Sequence, residues 1–297
     1  IIYGKFKNDQ VLLDRGKSLL NSIIQRWENS KSLFGFHNDF NNFALCVAYD
    51  SLSEDDFELR EKIKLKICST SDSNHDTINW IPMRWFVNLK KYEWTNNNKY
   101  QKIVQECKLK IIKATNQDGG IEDILPKGTS FNLQYDIATV AGLQFLKCRD
   151  LEDIDLSKEL GFLMNNIAPD GDINYQGRGT NQIFAWGSWI YLQLSSKNEE
   201  EINKTISFLR DKFPIMLKNN NLMLNNWKGK EKYLWWDYHY TSVYTSHFLF
   251  WLVLSMVDYQ KKPIQIKKSE FKDSGLIINK TSDYFISIFN GRKKYLA

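Results

Sequence analysis

The stretch LWWDYHYTSVYTSHF at positions 234–248 places proton-transferring side chains on one predicted helical face. Tyr240, Tyr244 and His247 stand at i, i+4 and i+7, a spacing that aligns side chains on an α-helix, and His239 lies about a quarter-turn away. Because tyrosine and histidine can accept or deliver a proton, we predict that His239 and Tyr240 are catalytic and that Tyr244 and His247 contact a substrate. Aromatic residues at this spacing are also typical of a helix core, so a purely structural role stays open.

Two tryptophans, Trp235 and Trp236, immediately precede this predicted helix. An indole ring has a flat apolar face and a polar edge, which suits stacking on a sugar ring. We predict that Trp236 contacts the substrate, and a structural role for the pair is an equal alternative.

The segment 170–182 carries the residue types of an anion-binding corner. Two glycines flank Arg178, Thr180 stands at a predicted helix N-cap, and Asn181 and Gln182 open the predicted helix. A helix start offers unpaired backbone N–H groups and partial positive charge, and the planar guanidinium of Arg178 fits a carboxylate or sulfate. We therefore predict that Arg178, Asn181 and Gln182 bind substrate. The alternative is that Arg178 pairs with an aspartate of its own loop.

Tyr175 precedes Arg178 by three residues, so both can face one cleft. We predict that Tyr175 is catalytic, as an alternative to Tyr240 for proton transfer. β-Elimination of a uronic acid needs a group that neutralises the C5 carboxylate, a base for the C5 proton and an acid for the departing O4. Arg, Asn or Gln can do the first, and Tyr or His can do the others. The two stretches together contain every residue type that this reaction requires.

Helices are expected to hold these residues, because apolar side chains recur at helical spacing and each such segment ends in a polar turn. Strand-like alternation is nearly absent before residue 262. The predicted helices are 11–27, 81–89, 100–112, 131–146, 156–164, 182–194, 202–213 and 238–257.

Four of the polar turns resemble one another, which predicts an internal repeat. They read HDTINW, DGGIED, DGDINY and LMLNNW, and their central apolar residues are Ile78, Ile121, Ile173 and Leu224. The successive spacings are 43, 52 and 51 residues, about the length of one helical hairpin with its connections. Stacked hairpins form an open solenoid or a closed barrel, and an Asp-Gly turn at the same place in successive repeats favours closure.

The composition changes at about residue 262, where short β-branched and aromatic runs begin. We predict strands in IQIKKSEF, SGLIINK and DYFISIF, with Asn290-Gly291 as a hairpin turn. The predicted domains are a helical toroid over 1–262 and the start of a truncated β-sheet domain over 263–297. The first residues include no initiating Met, so an N-terminal part is also expected to be missing.

Composition restricts the classes of partner. The net charge of +5 comes from lysines spread along the chain, which favours an anionic partner but not the dense basic stripe of a nucleic-acid binder. The longest apolar run, at 248–257, is far shorter than the ~20 residues of a membrane span. The four cysteines are widely separated, without a metal-ligand pattern, and are expected to be buried thiols. We predict no metal and no cofactor.

A helical toroid followed by β-strands resembles the heparinase II/III-like and alginate-lyase-like polysaccharide lyases, over about residues 75–297. Three stretches carry the resemblance: DGGIEDILPKGTSFNLQYD at 118–136, PDGDINYQGRGTNQIFAW at 169–186 and DSGLIINKTSDYFISIF at 273–289. Gly177-Arg178 matches a Gly-Arg pair that related families carry at a helix start. Where such lyases commonly have an Asn-His or Tyr-His pair, this chain reads Gln134-Tyr135-Asp136.

The resemblance implies a lyase with a β-sandwich behind its toroid, acting on an acidic polysaccharide by β-elimination in the periplasm or outside the cell. Two alternatives stay open. One is a glycoside hydrolase on the same scaffold that uses Asp170 or Asp172 with Asp237, since hydrolysis needs a pair of carboxyl groups. The other is a non-catalytic protein of glycan binding or capsule assembly. Fold alone does not choose among them.

Overall fold

The computed structural model describes residues 1–29, 37–125, 128–130, 132–173, 183–212, 215–218, 221–224, 235–258, 262–266, 273–281 and 284–289. The described part is mainly helical, as predicted, with eleven α-helices and three two-stranded antiparallel sheets. The chain divides into two compact units, Ile1–Lys113 and Ala114–Ala297. The predicted toroid closure, the β-sandwich and the boundary at residue 262 stay predictions.

Unit 1 is a two-layer arrangement of helices. Helices α3 (Asn38–Ser51) and α5 (Ile81–Thr95) pack side by side. They run in the same direction, because ring contacts join Phe40 to Trp80 near their starts and Tyr49 to Trp94 near their ends. Helices α2 and α4 pack against one another, and α4 also packs on α3 and α5. The helices are α1 (Ile2–Lys7), α2 (Gln10–Asn29), α3 (Asn38–Ser51), α4 (Phe57–Ser69), α5 (Ile81–Thr95) and α6 (Asn98–Ala114).

Arg84 of α5 fixes the start of this layer. Its guanidinium lies 3.0 Å from Asp39 of α3 and 2.8 Å from Asp76, and it also donates to the carbonyl of Ser73. Asp39 is 1% exposed, and burial of an unpaired charge costs about 3–5 kcal/mol. The contacts of Arg84 with Asp39, Asp76 and Ser73 therefore hold the 73–76 connection against α3 and α5.

Unit 2 repeats the two-layer pattern. Helices α7, α9 and α11 lie next to one another, with α8 packed on α7 and α10 packed on α9. Tyr244 of α11 contacts Phe184, just before α9, and Trp251 contacts Tyr191 further along, so α9 and α11 are parallel. The elements are β1 (Asp123–Leu125), β2 (Gly128–Ser130), α7 (Leu133–Cys148), α8 (Ser157–Asn165), α9 (Trp186–Ser196), α10 (Glu199–Lys212), β3 (Ile215–Lys218), β4 (Asn221–Leu224), α11 (Trp235–Asp258), β5 (Leu276–Lys280) and β6 (Phe285–Phe289).

Two of the turns predicted to be equivalent have the same backbone hydrogen bonds. The amides at 116 and 119 donate to the carbonyls at 120 and 116, and those at 168 and 171 donate to the carbonyls at 172 and 168, an offset of 52 residues. Gly119 and Gly171 both have positive φ, 97° and 94°. Each lies against the backbone of the following outer helix, at Lys158 and Lys204 respectively. A Cβ there would crowd that helix, which explains glycine at both places.

Several sequence predictions of structure are wrong in detail. LMLNNW is not a tight interhelical turn, because Leu224 pairs with Ile215 in a hairpin. Helix α9 begins at Trp186, after the non-helical Ala185, so Thr180 is not its N-cap. Trp235 begins α11 instead of preceding it. Helices α1, α3 and α4 and the two short hairpins β1–β2 and β3–β4 were not predicted.

The strand predictions near the C-terminal end are confirmed in part. SGLIINK and DYFISIF contain β5 and β6, which pair in antiparallel register from Leu276–Phe289 to Lys280–Phe285. The residues 264–266 form no strand, and Asn290-Gly291 lies outside the described residues. The Asp118 carboxylate accepts the amides of Asp273 and Ser274, at 2.7 and 2.6 Å, and so fastens the hairpin to the 116–120 turn.

Large aromatic side chains fill much of the core of unit 2. The fully buried ones include Trp186, Trp189, Tyr191 and Trp251. The four cysteines carry free thiols, three of them buried. Across the described ranges, no helix combines the length and the apolar character needed to cross a membrane.

Candidate functional site

The predicted site residues fall into three groups. The first group lies outside the described residues and consists of Tyr175, Arg178, Asn181 and Gln182. Trp236, His239 and Tyr240 lie on the described backbone of α11, but their side chains are outside the described part. Tyr244 and His247 are described completely. The assignment of the first two groups to a site stays a prediction.

Phe184 is the centre of the described cluster. Its ring stacks on His247 with centroids 4.7 Å apart, and it meets Tyr244 at 5.3 Å and Tyr135 at 6.0 Å. Phe184 is 7% exposed, while Tyr135 and Tyr244 are half-buried. The structure therefore brings two of the predicted residues together with Tyr135, at the starts of α7 and α9. We call these four residues the Phe184 cluster.

Local sequence explains how Tyr135 reaches the cluster. Asn132 caps α7, since its side-chain oxygen accepts the amides of Gln134 and Tyr135. This cap places Tyr135 in the first turn of the helix, and asparagine is among the preferred residues at an N-cap. The sequence prediction of site residues omitted Tyr135. The sequence signal that could have pointed to Tyr135 is its position in Gln134-Tyr135-Asp136, the stretch that stands where the resembling lyases commonly have an Asn-His or Tyr-His pair.

Gly187 explains how α9 and α11 come close at the cluster. A Cβ on Gly187 would collide with the backbone of Phe248, so only glycine fits this crossing. The close approach sets Phe184 beside Tyr244 and His247. The geometry of the cluster thus depends on Gly187 at the contact between α9 and α11.

His247 is a half-buried histidine with both ring nitrogens in hydrogen bonds. Its Nδ1 lies 3.0 Å from the carbonyl oxygen of Phe184, and its Nε2 accepts the indole N–H of Trp251 at 3.1 Å. Since a carbonyl only accepts, the proton is on Nδ1. Burial lowers the pKa of His247 to about 4, so the ring is neutral at pH 7. This geometry leaves neither ring nitrogen for a substrate, and it does not support the predicted substrate contact of His247.

Three carboxyl groups lie around the start of α7. Asp136 is completely buried, and among the described residues neither of its oxygens has a hydrogen-bond partner of normal geometry. Burial raises the pKa of Asp136 well above its usual value, the N–H of Ile121 opposes this, and the charges of Glu159 and Glu122 raise it further. Asp136 is therefore a neutral carboxylic acid over a wide pH range. Its burial keeps it away from a substrate.

The carboxylates of the hydrolase alternative are only partly described. The Asp170 side chain is exposed and accepts the amide of Asp172 at 3.1 Å, which is ordinary turn chemistry. The side chain of Asp237 lies outside the described part. The hydrolase alternative stays a prediction.

Within the described residues, no group of three or more His, Cys, Asp and Glu side chains is arranged to hold a metal ion. Comparison with protein-family models, curated proteins and solved structures gave no match. The candidate site is therefore assigned from its own residues and geometry.

Proposed function

We propose that this protein is a polysaccharide lyase that cleaves a uronate-containing polysaccharide by β-elimination. The observation that supports the proposal is the convergence of Tyr135 and Tyr244 on Phe184. Phe184 is the second residue after Gln182 in the chain. Helix α11, the predicted proton-transferring helix, thus contacts Phe184, which follows the predicted anion-binding segment 170–182 in the chain.

The predicted residues of segment 170–182 and of the first turns of α11 have these roles in the reaction. Arg178, Asn181 and Gln182 bind the C5 carboxylate and stabilise the negative charge that develops when the C5 proton leaves. A tyrosine, Tyr175 or Tyr240, exchanges the proton together with His239. The C5–H electrons form the C4=C5 double bond, the C4–O4 bond breaks, and O4 leaves with a proton. Trp236 stacks on a neighbouring sugar ring.

The described tyrosines extend this site. Tyr244, assigned to substrate binding, and Tyr135 are half-buried phenols that both contact Phe184. A phenol presents an apolar ring and a hydrogen-bonding group, which suits the alternating apolar and hydroxyl faces of a sugar. We assign both to the wall of the binding cleft.

The test is incubation of the protein with alginate, heparan sulfate, hyaluronan and bacterial capsular glycans, while the near-ultraviolet absorbance of unsaturated uronate is followed. Arg178→Ala and His239→Ala are expected to lower kcat/KM about 100-fold or more, the usual contribution of such groups. Tyr244→Phe is expected to raise KM a few-fold, by the loss of about one hydrogen bond. The control is Tyr3→Phe, because Tyr3 is an exposed phenol of unit 1.

The other outcomes distinguish the alternatives. New reducing ends without the absorbance would overturn the lyase and favour the carboxylate-based hydrolase. Binding without turnover on every glycan would favour a glycan-binding or capsule-assembly protein. Full activity of both Arg178→Ala and His239→Ala would remove these residues from the site even if a lyase activity exists.

A further inference from the structure

We propose that His247 is a positioning residue, which holds Phe184 in contact with Tyr135 and Tyr244 through a hydrogen-bonded chain from Trp251 to the backbone of Phe184. The geometry of this chain does not depend on the activity, but its effect on turnover rests on the proposed function. The chain joins the middle of α11 to the residue that precedes α9 by two positions.

The chain has a defined direction. The indole N–H of Trp251 can only donate, so the Nε2 of His247 must be the acceptor, at 3.1 Å. The protonated Nδ1 then donates to the Phe184 carbonyl at 3.0 Å. The charged ring would lose the bond from Trp251, and the tautomer with its proton on Nε2 would lose both bonds. Trp251 therefore selects the tautomer that binds Phe184.

The surroundings keep the chain intact. Trp251 is completely buried, and its ring packs against Tyr191 and Phe145. The His247 ring also stacks on Phe184 at an interplanar angle of 21°. His247 thus holds Phe184 twice, by a hydrogen bond to its backbone and by stacking on its side chain. Loss of the hydrogen bond from His247 Nδ1 is expected to leave the Phe184 carbonyl without this donor. The Phe184 ring is then expected to change its position relative to Tyr135 and Tyr244.

The first measurement is the tautomer of His247 in the whole chain without ligand, by nitrogen-detected magnetic resonance of labelled histidine. The expected result is a neutral ring with the proton on Nδ1 from pH 5 to pH 8. An Nε2-protonated ring, or a ring that becomes charged near pH 6.5, would overturn the proposal. This measurement needs no substrate and no variant.

The second measurement uses Trp251→Phe, which removes the donor to Nε2 and leaves His247 in place. Trp189→Phe is its matched control, because Trp189 is equally buried and its indole nitrogen has no hydrogen-bond partner among the described residues. Trp251→Phe is expected to give a mixture of tautomers, and Trp189→Phe is expected to keep the Nδ1-protonated form. Equal tautomer populations in the two variants would contradict the selection by Trp251.

The third measurement separates positioning from catalysis on whichever glycan of the panel is cleaved. Trp251→Phe is expected to raise KM roughly five- to tenfold, about the net value of one hydrogen bond, with kcat within about twofold. His247→Asn retains a donor near the position of Nδ1 and is expected to keep more activity than His247→Gln. Equal loss in both substitutions would contradict the role of Nδ1.

Failure of the two hypotheses gives different results. If no glycan is cleaved but the tautomer is as expected, the lyase proposal fails and the positioning chain stands. If a glycan is cleaved and His247 shows the other tautomer, the positioning chain fails and the lyase stands.

Discussion

At the scale of single residues, Asp136 shows how burial decides chemistry. A carboxyl group in the first helical turn would ordinarily be a charged surface group. Here it is completely buried, with the charges of Glu122 and Glu159 acting on it. Both effects disfavour the ionised form, so the native protein holds a proton that the unfolded chain releases.

The consequence is a loss of stability as pH rises. Since the native pKa of Asp136 is raised, its contribution is most favourable below the unfolded value of 3.8 and declines from there through the raised native pKa. Asp136→Asn imitates the neutral acid and is expected to have a higher Tm than the wild type at pH 8, with the difference vanishing near pH 4. Thermal unfolding across this pH range measures it.

The control for this prediction is Asp170→Asn, an exposed aspartate whose turn hydrogen bond an asparagine can also make. It is expected to leave the pH dependence of Tm unchanged. A lower Tm of Asp136→Asn at pH 8 would show that the native carboxyl is ionised and held by a cation.

At the scale of elements, the two equivalent turns depend on glycine. Gly119→Ala and Gly171→Ala place a Cβ 2.7 Å and 3.0 Å from the carbonyls of Lys158 and Lys204, on a backbone with positive φ. Each substitution is expected to lower the free energy of unfolding by about 1–3 kcal/mol, with Gly119→Ala the more severe. Chemical denaturation gives the values.

The inverse substitution is a control for these turns. Lys197 ends α9 with φ 58°, so Lys197→Gly removes the strain of a side chain in this region and is expected to be neutral or stabilising by up to about 1 kcal/mol. Wild-type stability of both alanine variants would show that the turns adjust without cost.

The elements also show where sequence reasoning succeeds. The turn at Gly119 and Gly171 was predictable, because Asp, Asn and Gly have strong local preferences that hold in any context. The start of α9 was not, because its N-terminus has no side-chain cap. Helix α4 was not predicted, because two of its apolar side chains, Phe57 and Leu65, are exposed. Apolar residues on the exposed face weaken the helical spacing of the apolar positions.

At the scale of the whole molecule, the site was only partly predictable. Helical spacing correctly joined Tyr244 and His247, but it could not tell a substrate-facing histidine from one that hydrogen-bonds the core. That distinction depends on Trp251 and on the Phe184 carbonyl, and the latter belongs to a segment 63 residues away in sequence. The parallel packing of α7, α9 and α11 depends likewise on long-range contacts.

The stability of the whole chain in acid provides an independent test of His247. Because burial lowers its native pKa to about 4, its contribution is fully present above the unfolded value of 6.5 and is lost as pH falls toward 4. The difference corresponds to roughly 3 kcal/mol over this window.

His247→Asn cannot bind the proton, so its free energy of unfolding is expected to fall less steeply than that of the wild type between pH 6.5 and 4. Denaturation at several pH values measures the slopes, and His75→Asn, at an exposed position of unit 1, is the matched substitution of a second histidine. Equal slopes for His247→Asn and the wild type would mean that His247 is not buried as a neutral ring, and the hydrogen-bonded chain to Phe184 would then be excluded as well.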